Sequence, residues 1–218
     1  MKLKSCLAIT AATLFLAGCE TSVETEVRLS QLTQKQNKVI PSNLHVEVAS
    51  CNDYEDSRKP SSSLVDMQES IPTVFKGAEY IECFRQQMNS FAKFTIPVYL
   101  DADGNDKLAS DEHLVLTSGE RVLLGVTVPD LLKRRMDDVR KKMMGVSLDM
   151  SVSITVINDT GNDYPLEAIA IFVDEYPVIY QGITVPNNKQ FTLHLSDVSV
   201  QAALNGANAQ VLLHNTNN

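Results

Sequence analysis

The chain has 218 residues, 44% of them hydrophobic and 21% charged, with a formal net charge of −8 and no tryptophan. That length can bury a sizeable core, as one large domain or two small ones. The acidic balance argues against nucleic acid as a partner, because phosphate binding needs a basic surface.

Met1-Lys-Leu-Lys4 is basic, and Ser5 to Phe15 forms an apolar run of secretory h-region length, too short to span a membrane. The run ends in Leu16-Ala17-Gly18-Cys19. This segment resembles the lipobox of bacterial lipoproteins, a resemblance confined to the leader. It implies cleavage before Cys19 and fatty acylation, palmitate included, on the sulfur and new amine of Cys19. Several acyl chains together anchor stably where one would be marginal. The implied location is outside the cytoplasm, lipid-anchored to a membrane. Glu20 stands where the family's inner-membrane retention signal is aspartate, so the outer membrane is favoured in a Gram-negative cell. An ordinary secretory leader with a chance cysteine is the competing reading.

Residues 1–18 are thus read as signal peptide and 19–43 as a lipidated polar tether rich in Thr, Ser, Gln and Glu. Val23, Thr25, Val27 and Leu29 alternate inside it, as a short edge strand would. Of the four cysteines, Cys6 leaves with the leader and lipid consumes Cys19. Cys51 and Cys83 remain as an even pair in an oxidising compartment, which predicts a disulfide, with two buried thiols as the alternative.

Leu44, Val46 and Val48 alternate as a half-buried strand running into Cys51, and Asn52 to Ser63 reads as a surface loop. Ile81, Phe84, Met88 and Phe91 recur at helical spacing, predicting a helix over about 76–91. Phe94, Ile96, Val98 and Leu100 alternate, and Pro97 marks their strand as an edge or as one with a local break. Leu114 with Leu116, then Val122 to Val128, read as two strands joined at Ser118-Gly119. Pro129 to Met144 reads as a helix with Leu132, Met136, Val139 and Met143 on one face.

After Val146 the chain alternates in short strands separated by polar turns, ending with Ser196-Asp197 capping a short helix to Leu204. This part resembles immunoglobulin-like β-sandwiches in pattern, without the cysteine pair or tryptophan of antibody-type domains. The expected fold class is mainly β with two helices (α+β). An α+β domain would cover 44–144 and a β-sandwich-like domain 145–218.

Asp101 to Glu112 resembles an EF-hand loop, with Asp101, Asp103 and Asn105 at its first, third and fifth positions and Glu112 at its twelfth. Calcium would use those oxygens. Asp106 stands where the loop needs glycine, and a strand precedes it instead of a helix. A polar hairpin turn is the other reading. An internal comparison bears on the choice. Gly104-Asn105-Asp106 recurs as Gly161-Asn162-Asp163, and Gly125 to Pro129 recurs as Gly182 to Pro186, both 57 residues on. Most carboxylates do not recur, so a shared turn is the simpler explanation. A duplicated β unit and two unrelated turns both stay open.

Lys133, Arg134, Arg135, Arg140, Lys141 and Lys142 make one helix locally basic. Lys133, Arg134, Arg140, Lys141 and Lys142 are candidate contacts to an anionic surface, against the simpler reading of a solvated face balanced by Asp130, Asp137 and Asp138. His45, His113, His194 and His214 are scattered without metal-ligand spacing, and no nucleophile elbow or phosphate loop appears. No catalytic residue and no cofactor, beyond the calcium candidate, is assigned. The sequence predicts a non-enzymatic binding or structural module of the cell envelope with a protein partner. A carrier of a lipid or other apolar ligand, and an enzyme without a recognisable motif, are the alternatives.

Overall fold

The computed structural model describes residues 19–34, 37–102, 111–142 and 148–215. Its first strand, β1 (Cys19–Arg28), begins where a tether is expected. Within this polar stretch the alternation read at Val23, Thr25 and Val27 is that of a strand. Thr21, Val23, Thr25 and Val27 are buried and Glu20, Glu24 and Glu26 exposed, so one face of the strand enters the core. The Ser42 hydroxyl donates to Thr25 Oγ1 at 2.8 Å, satisfying two buried polar groups that would otherwise be a burden. The region 19–43 is therefore no tether but β1, a short helix α1 (Leu29–Thr33) and the start of β2 (Lys38–Val48).

Helix α2 (Ser62–Val74) follows the 49–61 loop. Its Ser61 N-cap accepts from the Leu64 amide, and Leu64, Met67, Ile71 and Val74 form its buried stripe. The helix predicted over 76–91 is instead the hairpin of β3 (Glu79–Gln86) and β4 (Asn89–Asp101). The helical spacing misled because β3 lies at the sheet margin and buries little: Ile81 is 51% and Met88 95% exposed. Cys83 accordingly sits on a strand.

β4 is an interior strand whose pairing on one side breaks around Pro97, the second of the two expectations, and not an edge. It pairs with β2 from Lys38↔Leu100 to Val48↔Ser90. On its other side β3 covers it only to Thr95, and β5 (Leu114–Thr117) joins from Val98 in parallel. Pro97 falls in the gap between them. Its register partner on β2 is Pro41. Neither ring nitrogen can donate to the ladder at this rung.

The remaining elements are β6 (Val122–Thr127), α3 (Asp130–Lys142), β7 (Leu148–Ile157), β8 (Tyr164–Val173), β9 (Tyr176–Val185), β10 (Gln190–Leu195), α4 (Asp197–Leu204) and β11 (Ala209–His214). The fold is mainly β, with four helices among the described residues. Nine strands form a closed ring in the order β10-β7-β1-β2-β4-β5-β6-β11-β8, with β3 and β9 as side strands on β4 and β8. This corrects the sandwich expected over 145–218. It also corrects the division at 144/145, since β7, β8, β10 and β11 close the same barrel that β1 to β6 open.

β8 makes the closure. Leu166 to Ala168 pair with β11 and Ile171 to Val173 with β10, while β9 follows the opposite edge of β8 throughout. Ala170 marks the change of partner with φ of 48°. Its carbonyl accepts the hydroxyls of Ser196 at 3.2 Å and Ser199 at 3.1 Å, supplied by the first turn of α4. The interior is packed around Leu44, Phe94, Ile96, Leu100, Leu116 and Leu123, all fully buried. Each such side chain contributes about 1.5–3 kcal/mol by leaving water.

Candidate binding cleft

β4 and β5 run side by side and end at Asp101 and Thr117, where the Ser118 amide donates to the Asp101 carbonyl at 3.0 Å. Beside them β6 ends at Thr127, and Pro129 turns the chain into α3. These ends enclose a cleft of about 530 Å³. Its polar lining is Asp101, Asp111 and Asp130, the hydroxyl residues Thr117 and Thr127, and Arg134. Val115, Val128 and Leu131 supply an apolar wall. Among the described residues the lining therefore carries three carboxylates and one guanidinium. No histidine or cysteine lines it among the described residues.

Gly125 keeps the cleft's neighbourhood open. A Cβ there would meet Asn208 Oδ1 at 2.2 Å and Thr117 Oγ1 at 2.6 Å. Without it, Asn208 Nδ2 donates to Thr117 Oγ1 at 2.9 Å, tying the approach to β11 to the end of β5. Gly182, its counterpart 57 residues on, has nothing within 4 Å of such a Cβ. The strand pairings differ as well: β4 pairs with β5, the strand after its turn, whereas β7 pairs with β1 and β10 and not with β8, the strand after its own turn. The two motif copies thus occupy different structural settings.

Only two of the four calcium candidates, Asp101 and Glu112, fall among the described residues. Asp103 and Asn105 lie outside the described residues. Asp101 reaches the cleft, but Glu112 turns to cations. Arg135 Nη2 donates to its Oε1 at 2.8 Å, and Lys76 Nζ is 3.5 Å away. The Arg135 bond, with the charge of Lys76 adding to it, holds the Glu112 carboxyl below the usual glutamate range. Next to it, burial lowers the His113 imidazole, and Glu112 offsets this only in part. No group of three or more His, Cys, Asp or Glu able to hold a metal occurs among the described residues. In the second copy, Asn158 is a turn organiser: it donates to the carbonyls of Asn162 at 2.8 Å and Val185 at 2.7 Å and accepts from Thr160.

Helix α3 carries the basic candidates. Leu132 and Val139 are buried and Met136 packs on the core. Arg140 pairs with Asp137 at 3.3 Å and Lys141 with Asp138 at 3.6 Å. Arg134 lines the cleft, Lys133 is half-buried, and Lys142 closes the helix with its side chain outside those described. Cys51 and Cys83 form a disulfide with Cα atoms 5.6 Å apart, tying the 49–61 loop to β3. Cys19 is the first residue of β1, in register with Leu148 of β7.

Sequence reasoning did not pick out Asp111 and Thr127 as cleft residues, and it read Asp130 only as a charge at a helix start. It also missed a surface. β9 carries no charged residue, and Tyr176, Ile179 and Tyr180 on it are 75%, 89% and 61% exposed. Its outer edge has no strand partner among the described residues. Uncharged open edges are templates for strand addition.

A family model described as "Domain of unknown function (DUF7424)" matches residues 21–218. The chain belongs to this family. For the DUF7424 family, then, the match begins within β1 and takes in every later strand of the ring. No curated protein and no solved structure matches the chain.

Proposed function

We propose that this protein is a lipid-anchored envelope protein, acylated at Cys19 outside the cytoplasm, that works as a non-enzymatic binding or structural module. The observation that carries the reading is the lipobox-like Leu16-Ala17-Gly18-Cys19, which ends on the residue that starts β1. The Cys51–Cys83 disulfide suits an oxidising compartment. Glu20 favours the outer membrane where the cell has one. A protein partner is served by the uncharged open edge of β9, whose Tyr and Ile side chains are of the kind that anchor interfaces. The packed interior weighs against a carrier of apolar ligands.

Two measurements test this. The intact mass of protein extracted from membranes should show a chain starting at an acylated Cys19, and Cys19→Ala should abolish acylation. A wild-type mass without acyl groups would remove the anchor. Crosslinking from membranes should then capture a partner that Ile179→Lys loses while folding normally. Capture unaffected by that substitution would remove β9 as the contact.

A further inference from the structure

We infer that the barrel sits directly on the bilayer by the rim where β1 begins, with Tyr54 and Met88 entering the headgroup region. This rests on the acylation of Cys19 proposed above. An acylated Cys19 fixes its own backbone at the membrane boundary. No chain separates Cys19 from β1, which pairs with β7 from its first residue, Cys19↔Leu148. Each residue of a tether would have added at most about 3.6 Å of reach. None is available, so whatever shares the rim with Cys19 lies against the lipid.

The register says what shares it. Thr21↔Val46 sets Cys19 level with the end of β2, and Val48↔Ser90 sets both beside the start of β4. One step beyond lie the Gln87-Met88 turn and the 49–61 loop. That loop is braced. Asp53 Oδ1 accepts the amides of Glu55 at 2.9 Å and Asp56 at 3.0 Å, the Asp53 amide donates to the Lys59 carbonyl, and the disulfide holds its root to β3. Bracing leaves Tyr54 fully exposed at 102%, and Met88 is 95% exposed on its turn. An amphipathic ring and a flexible thioether on one rim suit the membrane–water interface. The rim's carboxylates Glu20, Glu47, Asp53, Glu55 and Asp56 outnumber its cations Arg58, Lys59 and Arg85. The lipid it fits is therefore zwitterionic, not anionic. The acidic cleft at Asp101 lies eleven residues further along β4 than Ser90, so it faces away from the membrane.

Because the chain has no tryptophan, single insertions report their own positions. Tyr54→Trp and Met88→Trp would be compared with Val39→Trp, a half-exposed site nine residues back along β2 from Val48. Each lipidated protein is reconstituted into phosphatidylethanolamine–phosphatidylcholine vesicles with and without shallow-brominated lipid. The two rim tryptophans should emit at shorter wavelength and be quenched, while Val39→Trp stays water-like. Adding anionic lipid should reduce the rim quenching. Rim tryptophans as unquenched as Val39→Trp, on protein whose mass carries the Cys19 acyl groups, overturn the seating alone. Protein that lacks those groups overturns the anchor and the seating together.

Discussion

The guanidinium of Arg135 donates to Glu112 Oε1 at 2.8 Å, joining α3 to the segment that enters β5. With Lys76 at 3.5 Å, the carboxylate spans three parts of the chain. Glu112→Gln should lower the melting temperature at neutral pH. Glu112 has a lowered native pKa, so its contribution is present above the ordinary glutamate range and is lost as pH falls through that lowered value. The difference between wild type and variant should thus shrink below about pH 4. A calorimetric calcium titration at millimolar concentrations should give no saturable heat, because calcium would have to displace two cations from Glu112. Saturable heat lost in Glu112→Gln would reinstate the loop as a calcium site.

Gly125 and Gly182 share a motif but should respond oppositely to alanine. At Gly125 the new methyl lands 2.2 Å from Asn208 Oδ1, which has to move and give up its bond to Thr117. Overpacking of this kind costs about 1–3 kcal/mol. Gly182→Ala enters open space and should fall within about 0.5 kcal/mol of wild type. Chemical denaturation measures both. The methyl also lands 2.6 Å from Thr117 Oγ1, so recovery should need Asn208→Ala and Thr117→Ala together in the Gly125→Ala background, and no recovery in that triple variant would show that the clash lies elsewhere.

The disulfide spans 32 residues and closes the loop that carries Tyr54 and the whole of α2. In the chain-entropy model a loop of this size is worth about 3–4 kcal/mol. Cys51→Ala with Cys83→Ala should lose about that much in denaturant unfolding. Under denaturing, non-reducing conditions the wild-type pair should give no free thiol.

His45 makes a 3.7 Å contact with Glu24 that would be an ion pair if the ring were charged. Burial lowers its pKa, and this outweighs Glu24, so the ring is neutral at pH 7. Burial lowers His113 too. The unfolded rings take protons first, near pH 6.5, so stability falls as pH drops from 7 through that value towards the lower native pKa values. Replacing both with glutamine should flatten the stability–pH slope between about pH 7 and 5. Below that, carboxylates take over. Burial raises Asp159, but the Ser30 hydroxyl and amide outweigh it and hold the carboxyl low. A slope unchanged in the double variant would assign the loss to other groups.

Most strands were legible because alternation survives in the barrel wall, as in β2, β4, β7 and β10. Helix α3 and the Ser196 cap of α4 were legible for the same local reasons. Helix α2 was not: a serine run at its start and Pro72 near its end masked the spacing of Leu64, Met67 and Ile71. β1 was legible only in part: Val23, Thr25 and Val27 showed its alternation, but the polar composition gave the stretch the look of a tether, and its interior place between β7 and β2 was not visible. Ring closure was beyond reach, since strand neighbours are set by contacts such as Ser30 with Asp159, 129 residues apart. The cleft stayed hidden for the same reason, since Asp101, Asp111 and Asp130 meet only once β4, β5 and α3 are in place.

The same distant pairing sets an order of events in time. β1 is made first, yet its parallel neighbour β7 is the seventh strand, and the ring waits further for β11 to meet β6 and β8. An exported chain would therefore present β1, β2 and β4 as an open sheet until nearly all of it had crossed the membrane. Anchoring at the first residue would hold that half-built sheet in one place while its missing wall arrives.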